Sequence, residues 1–159
     1  MTELFNNFSS LIVFLHVISA VLWVGGMIAI RFAVHYSIQN IAEPKIKIER
    51  TLENLKRFFN MVIPAILILL ITAVIMIIAL GFKGTALYSF VIVKEAIWTV
   101  MTIIFITIYI KRNKAEKAFI QGDFLAAKNN LAPIAKYYIP ANIILGIIAI
   151  YLGVTLRGF

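Results

Sequence analysis

Four long apolar runs, residues 11–30, 61–82, 87–110 and 137–156, constrain this chain more than any other feature of its sequence. As helices rising about 1.5 Å per residue, all four are long enough to cross a hydrocarbon layer of about 30 Å. The segments between them are too short to build a separate soluble module. The predicted fold is therefore all-α, an integral membrane bundle of four transmembrane helices forming one membrane domain over residues 1–159. The composition agrees: 62% of the residues are hydrophobic and only 14% charged, with a mean hydropathy of +0.98, so lipid rather than water is the expected main solvent.

The loops set an expected orientation. Lys45, Lys47, Arg50, Lys56 and Arg57 lie between the first two runs, and Lys111, Arg112, Lys114, Lys117, Lys128 and Lys136 between the last two. The opposite side offers Lys83, in the turn Phe82-Lys83-Gly84-Thr85, and Arg157. The positive-inside rule then puts both loops in the cytoplasm and both termini outside, N-out and C-out, in the inner (plasma) membrane of a cell. The stretch Met1 to Ser10 has Glu3 and no Lys or Arg, unlike the basic start of a cleaved signal, so the first span is expected to be retained. A net charge of +8 does not imply nucleic acid here, because the cations are divided among short inter-span loops instead of forming one solvated face.

Ile48, Leu52, Leu55 and Phe59 recur at helical spacing behind Glu43-Pro44, so the second helix is expected to begin well before its apolar run. Phe119, Ile120, Phe124 and Leu125 among lysines fit a helix extension, a segment lying on an anionic membrane surface, or a solvated loop. Gly122-Asp123 would then mark a turn and a new helix start.

Inside the apolar runs the titratable residues are the informative ones, since a charge near the bilayer centre costs several kcal/mol. His16, Lys94 and Glu95 qualify. Counted from the outer ends of the first and third runs, His16 lies about 8 Å and Lys94 about 10 Å down. That match permits a shared site near the outer face. Trp23 follows His16 by seven residues and Trp98 follows Lys94 by four, and each pair shares a helix face. Imidazole, amine and two indoles would line a partly apolar pocket suited to a flat, aromatic, anionic guest such as haem. The competing readings are helix glue for His16, snorkelling for Lys94 and packing for the indoles. Glu95 points about 100° away from Lys94, to another neighbour. His35 lies too far along the first helix to share a ligand with His16 and reads as an interfacial residue with some capacity as a pH switch. Arg31 could hold a phosphate or a propionate, or a lipid head group. Pro64 and Pro140 can free carbonyls inside the bundle, for which Asn60 and Asn142 are possible partners. Gly25, Gly26, Gly146 and Gly153 permit close helix approach.

The chain has no cysteine, which excludes disulfides, thiolate metal sites, CxxC redox pairs and covalently attached haem.

The run Leu15-His16-Val17-Ile18-Ser19-Ala20-Val21-Leu22-Trp23-Val24-Gly25-Gly26 resembles the opening helix of CopD-type membrane proteins. Arg57-Phe58 before the second span, Lys94 early in the third, and Lys111-Arg112-Asn113 at its basic end resemble the same pattern in order. The related HemJ family of membrane protoporphyrinogen oxidases shares the helix-one histidine followed by tryptophan and the helix-three lysine. That resemblance implies that His16 and Lys94 hold haem b. Where HemJ proteins carry Pro-Arg-Leu after the first helix and Asn-Glu-x-Pro before the last, this chain has Ala29-Ile30-Arg31-Phe32 and Lys136-Tyr137-Tyr138-Ile139-Pro140. The CopD resemblance implies copper resistance or uptake, with His16, Met27, Met61 and Met101 as contacts, since thioethers suit Cu(I).

Three functions follow as expectations. One is a haem b redox or oxidase module exchanging electrons with a quinone or a porphyrin. Another is a copper-binding or copper-transport protein. The last is a non-enzymatic assembly subunit whose basic loops dock a partner. A homo-oligomer is compatible with each.

Overall fold

In the computed structural model, which describes residues 2–156, four long helices account for nearly all of the chain. They are α1 (Thr2–Gln39), α2 (Pro44–Leu80), α3 (Tyr88–Ile120) and α4 (Phe124–Thr155), and all four are long and apolar enough to cross a membrane. Arg157 lies outside the described residues.

The helices outrun their apolar segments. At 37 and 33 residues, α2 and α3 are about 55 Å and 50 Å long against a hydrocarbon thickness of about 30 Å. The surplus lies at the end holding the two short connections, residues 40–43 and 121–123, where most of the basic residues sit. Charged sequence stays helical there because its apolar positions still find partners. In α2 the buried series Ile48, Leu52, Leu55, Phe59, Val62, Ile66 and Leu69 alternates steps of four and three without a break from the charged half into the apolar half. That is a coiled-coil-like seam, in which tertiary packing outweighs the low hydropathy of the outer face.

The same alternation runs down α3 through Val91, Lys94, Trp98, Met101, Phe105, Ile108, Arg112 and Ala115, each buried or half-buried. In α4 the seam Ala127, Leu131, Ile134, Ile139, Asn142, Gly146 takes one step of five. A wide, π-type turn at Ile134–Tyr138 absorbs that extra residue. Pro140 explains the turn, since it has no N–H and its ring displaces the carbonyl four residues back. In α1 two similar turns, Val21–Gly25 and Ile30–Val34, reset the inward face, and Phe8 (φ −127°, ψ 26°) bends its first turns.

Helix ends follow local chemistry. Pro44 sits at the first position of α2, behind Glu43 in an extended conformation, and Gly81 closes that helix in the left-handed region at φ 60°. Gly122 (φ 81°) makes the turn after α3, and the Asp123 carboxylate accepts from the Ala126 N–H to cap α4 at 2.8 Å. Of the readings open for residues 119–125, the helix extension is the one found, with Phe119 and Phe124 rings paired at 5.6 Å across the turn.

Neighbouring helices alternate in direction. α1 packs on α2 and α4, and α3 packs on α4 and α2, so α1 and α3 face one another across the diagonal of the bundle. The core on that diagonal is aromatic: Trp23 of α1 meets Phe105 of α3 edge-on at 6.1 Å, and Phe59 of α2 meets the same ring at 5.3 Å.

Candidate intramembrane site

The outer half of the bundle, the end away from the basic loops, collects the polar side chains. Ile12, His16, Ser19, Trp23 and Met27 form the inward stripe of α1, which aims the His16 ring at α2. There His16 Nδ1 lies 3.0 Å from Thr72 Oγ1. The Thr72 hydroxyl is itself 2.7 Å from the Ile68 carbonyl, to which it donates its single hydrogen. Its oxygen is then an acceptor, so Nδ1 carries the proton and donates it to Thr72, and the Nε2 lone pair is bare. The Thr72 hydroxyl thereby sets the direction of the imidazole ring.

Lys94 occupies a seam position of α3 and so turns into the bundle. Its amine reaches α4 at Gly153, where a methyl group would stand 2.9 Å from Nζ and 3.7 Å from Cε. The glycine makes room for the amine. Among the described residues Lys94 has neither an ion pair nor a hydrogen-bond acceptor. His16 leans on α2 and Lys94 on α4, from opposite corners of the diagonal.

The indoles continue these stripes inward. Trp98 is half-buried one turn below Lys94, and Trp23 is 1% exposed about 10 Å below His16. Both Nε1–H groups are buried without an acceptor among the described residues. Buried indole N–H groups normally find one, so the outer half holds an excess of donors over acceptors. Deeper still, Asn142 of α4 donates to the Met101 carbonyl of α3 at 3.2 Å, and this is a cross-helix tie; it does not relieve a carbonyl freed by Pro140. Asn60 faces outward.

Arg31 does not join this group. Fifteen residues further along α1, about 22 Å from His16, its guanidinium rests 5.8 Å from the Phe32 and Tyr36 ring centres. His35 lines a shallow groove at the same inner end with Thr51, Asn54 and Ile134. Glu95 is exposed on the outside of the bundle, one residue and a quarter turn from Lys94. Of the proposed copper contacts, Met27 and Met101 are core residues at 1% and 3% exposure, whereas Met61 is 43% exposed. Among the described residues no three His, Asp or Glu side chains converge as a metal group.

Sequence reasoning missed Thr72 and took Gly153 only as a point of close helix approach, without its link to Lys94. The available signal was register: Thr72 ends the α2 seam three residues after Leu69, and Gly153 lies seven after Gly146. No family model, curated protein or solved structure matches this chain.

Proposed function

We propose that this chain is an integral protein of the inner (plasma) membrane, N-out and C-out, that holds haem b through His16 and Lys94 as a redox module of the HemJ and CopD kind. The carrying observation is an imidazole whose Nδ1–H is tied to Thr72 while Nε2 stays bare, in the same apolar interior as an amine without a partner. An uncompensated amine in low dielectric is costly. A guest that satisfies it accounts for its retention.

The side chains fit haem better than bare metal. A porphyrin supplies four nitrogens and asks one or two ligands of the protein, whereas a copper ion must draw its whole set from side chains that do not cluster here. His16 Nε2 is the first ligand. Lys94 serves as a second nitrogen or, as ammonium, as partner to a propionate, and the two indole N–H groups offer hydrogen bonds to an acceptor-bearing guest. Haem, when bound, supplies one-electron chemistry. The protein's part is to exclude water and hold the ligand directions. The electron partner is a lipid-soluble quinone or a porphyrinogen, which reaches the site through the bilayer. The orientation rests on the basic end of the bundle, with the cations of α2, α3 and α4 beside the cytoplasmic head groups.

An absorption spectrum of the detergent-purified protein, before and after dithionite, tests the reading. A Soret band lost in His16→Ala and Lys94→Ala is expected. Colour unchanged in both variants ends the assignment, and copper without porphyrin on metal analysis replaces it with the copper reading. A colourless, metal-free protein that copurifies with another chain points to the assembly role.

A further inference from the structure

Glu95 plays no part in the cofactor reading, and it stands where a carboxyl group is expensive, on the exposed side of α3. It does not stand alone. A cleft of about 340 Å³ opens between the end of α2 and the start of α3, lined by Ile77, Ile78, Gly81, Lys83, Tyr88 and Glu95. Tyr88 and Glu95, seven residues apart, share one face of α3 about 10 Å from each other along its axis. Lys83 comes from the turn behind Gly81, whose left-handed backbone carries the chain over the cleft. Among the described residues none of these three side chains is hydrogen-bonded or ion-paired through its polar head. The cleft therefore has an acceptor at its floor, two donors at its mouth and apolar walls.

We propose that this cleft is a binding site for the head group of a lipid-soluble quinol. The volume lies at the low end of small-molecule pockets, about 300–1,000 Å³, enough for one substituted ring and too small for a porphyrin. A quinol carries oxygens on opposite edges of one ring. One hydroxyl donates to the Glu95 carboxylate, and the far oxygen accepts from Tyr88 or Lys83. The isoprenoid tail leaves sideways along Ile77 and Ile78 into the bilayer. A phosphatidylcholine fits less well, because its phosphate and ester oxygens only accept and its trimethylammonium has no N–H to give Glu95. This assignment rests on the redox reading above and names its electron partner, at a site on α3 next to Lys94 but on the other side of the helix wall.

Binding of a short-tailed benzoquinol to the full chain in phosphatidylcholine nanodiscs, followed by native mass spectrometry, tests it. One equivalent is expected on the unaltered protein. Loss of a hydrogen bond to a charged group predicts at least about tenfold weaker binding in Glu95→Leu, with a smaller loss in Tyr88→Phe. Glu95 is exposed and Tyr88 half-buried, and unchanged helicity by circular dichroism checks the fold. His16→Ala is expected to keep quinol affinity while losing any Soret band. A coloured protein whose quinol affinity is the same in Glu95→Leu and Tyr88→Phe overturns the cleft and spares the haem site. A colourless protein with intact, Glu95-dependent quinol binding does the reverse. Displacement of the quinol by an equal amount of phosphatidylglycerol would make the cleft a phospholipid seat and would also overturn the proposal.

Discussion

Arg112 and Lys94 lie eighteen residues apart on one seam of α3, and the bundle treats them in opposite ways. Arg112, 6% exposed, was read from the sequence as a loop cation. The structure buries it instead, because α3 continues past its apolar run. Two of its N–H groups meet the Glu116 carboxylate at 2.6 Å and 2.8 Å, and another points at the Leu52 carbonyl of α2 at 3.3 Å. Lys94 has the same inward register and none of these partners. A buried cation whose terminal N–H groups are paired ties helices together, even with its Nε left over as in Arg112; one with no partner only costs stability.

Substituting the two cations gives the widest separation. Arg112→Met is expected to lower stability by about 2 kcal/mol, since it removes the tie to α2 and leaves the Glu116 carboxylate, 38% exposed, without its partner. Lys94→Met, which replaces an unpaired amine by an apolar side chain of similar length, is expected to be neutral or stabilising in the cofactor-free protein. Denaturant unfolding in detergent measures both. A destabilised Lys94→Met would mean that the amine is a structural tie like Arg112, and the contrast would fail.

Thr72 sharpens the outer half alone. Thr72→Val keeps the side-chain volume and removes the acceptor for the His16 Nδ1–H, so the ring loses its fixed direction. Outer-shell partners of this kind are worth about 10–100-fold in metal-site affinity. Haem retention during stepwise detergent dilution is expected to fall by that order, with unfolding little changed. Equal retention in the variant would remove Thr72 from the site.

The two seam glycines of α4 repeat the comparison on a smaller scale. A methyl at Gly146 would meet Val24 Cγ2 at 2.5 Å and both Val24 Cγ1 and Met101 Cε at 3.2 Å. Val24 is β-branched and 5% exposed, so it cannot swing away. Gly146→Ala is therefore expected to cost about 1–3 kcal/mol by overpacking. A methyl at Gly153 meets only the flexible tip of Lys94. Gly153→Ala is expected to cost less than about 0.5 kcal/mol in unfolding while displacing the amine, visible as a shifted Soret band. A large loss of stability at Gly153 would show a rigid outer half.

What the sequence disclosed and what it hid follow from the range of the forces involved. Four helices were legible from hydropathy alone, because a span must be long and apolar. The inward faces were legible where the seam was apolar, as in Ile48, Leu52, Leu55 and Phe59. The helical surplus was not, since residues 111–120 look like a basic loop until Ala115 is seen at 0% exposure. At the candidate site His16 and Lys94 stood out by cost, being ionisable in a span. Their supports did not, because threonine and glycine are ordinary in such helices and acquire meaning only from a neighbour some 56 or 59 positions away, as Thr72 does from His16 and Gly153 from Lys94. The resemblance to CopD and HemJ proteins led to the same two residues and was silent on Thr72.

The smallest expected effect comes from the inner end, where charges are paired in water. Glu53 accepts from Arg50 at 3.0 Å and from Arg57 at 2.6 Å on one face of α2. The Arg50 hydrogen bond first, and then that of Arg57, hold its carboxyl below the usual glutamate value of 4.5. A carboxyl depressed in the folded state adds stability above its unfolded pKa and loses it as pH falls through the folded one. Glu53→Gln is therefore expected to melt slightly below the parent at neutral pH and level with it once the solution is acid enough to protonate Glu53 in both states. Solvent-facing pairs of this geometry are worth little and are screened by salt, so the neutral-pH difference is expected to shrink further at high ionic strength. A difference that persists in acid and in salt would assign Glu53 a packing role and would weaken the division between an inner end stabilised by pairing and an outer half that leaves its polar groups free.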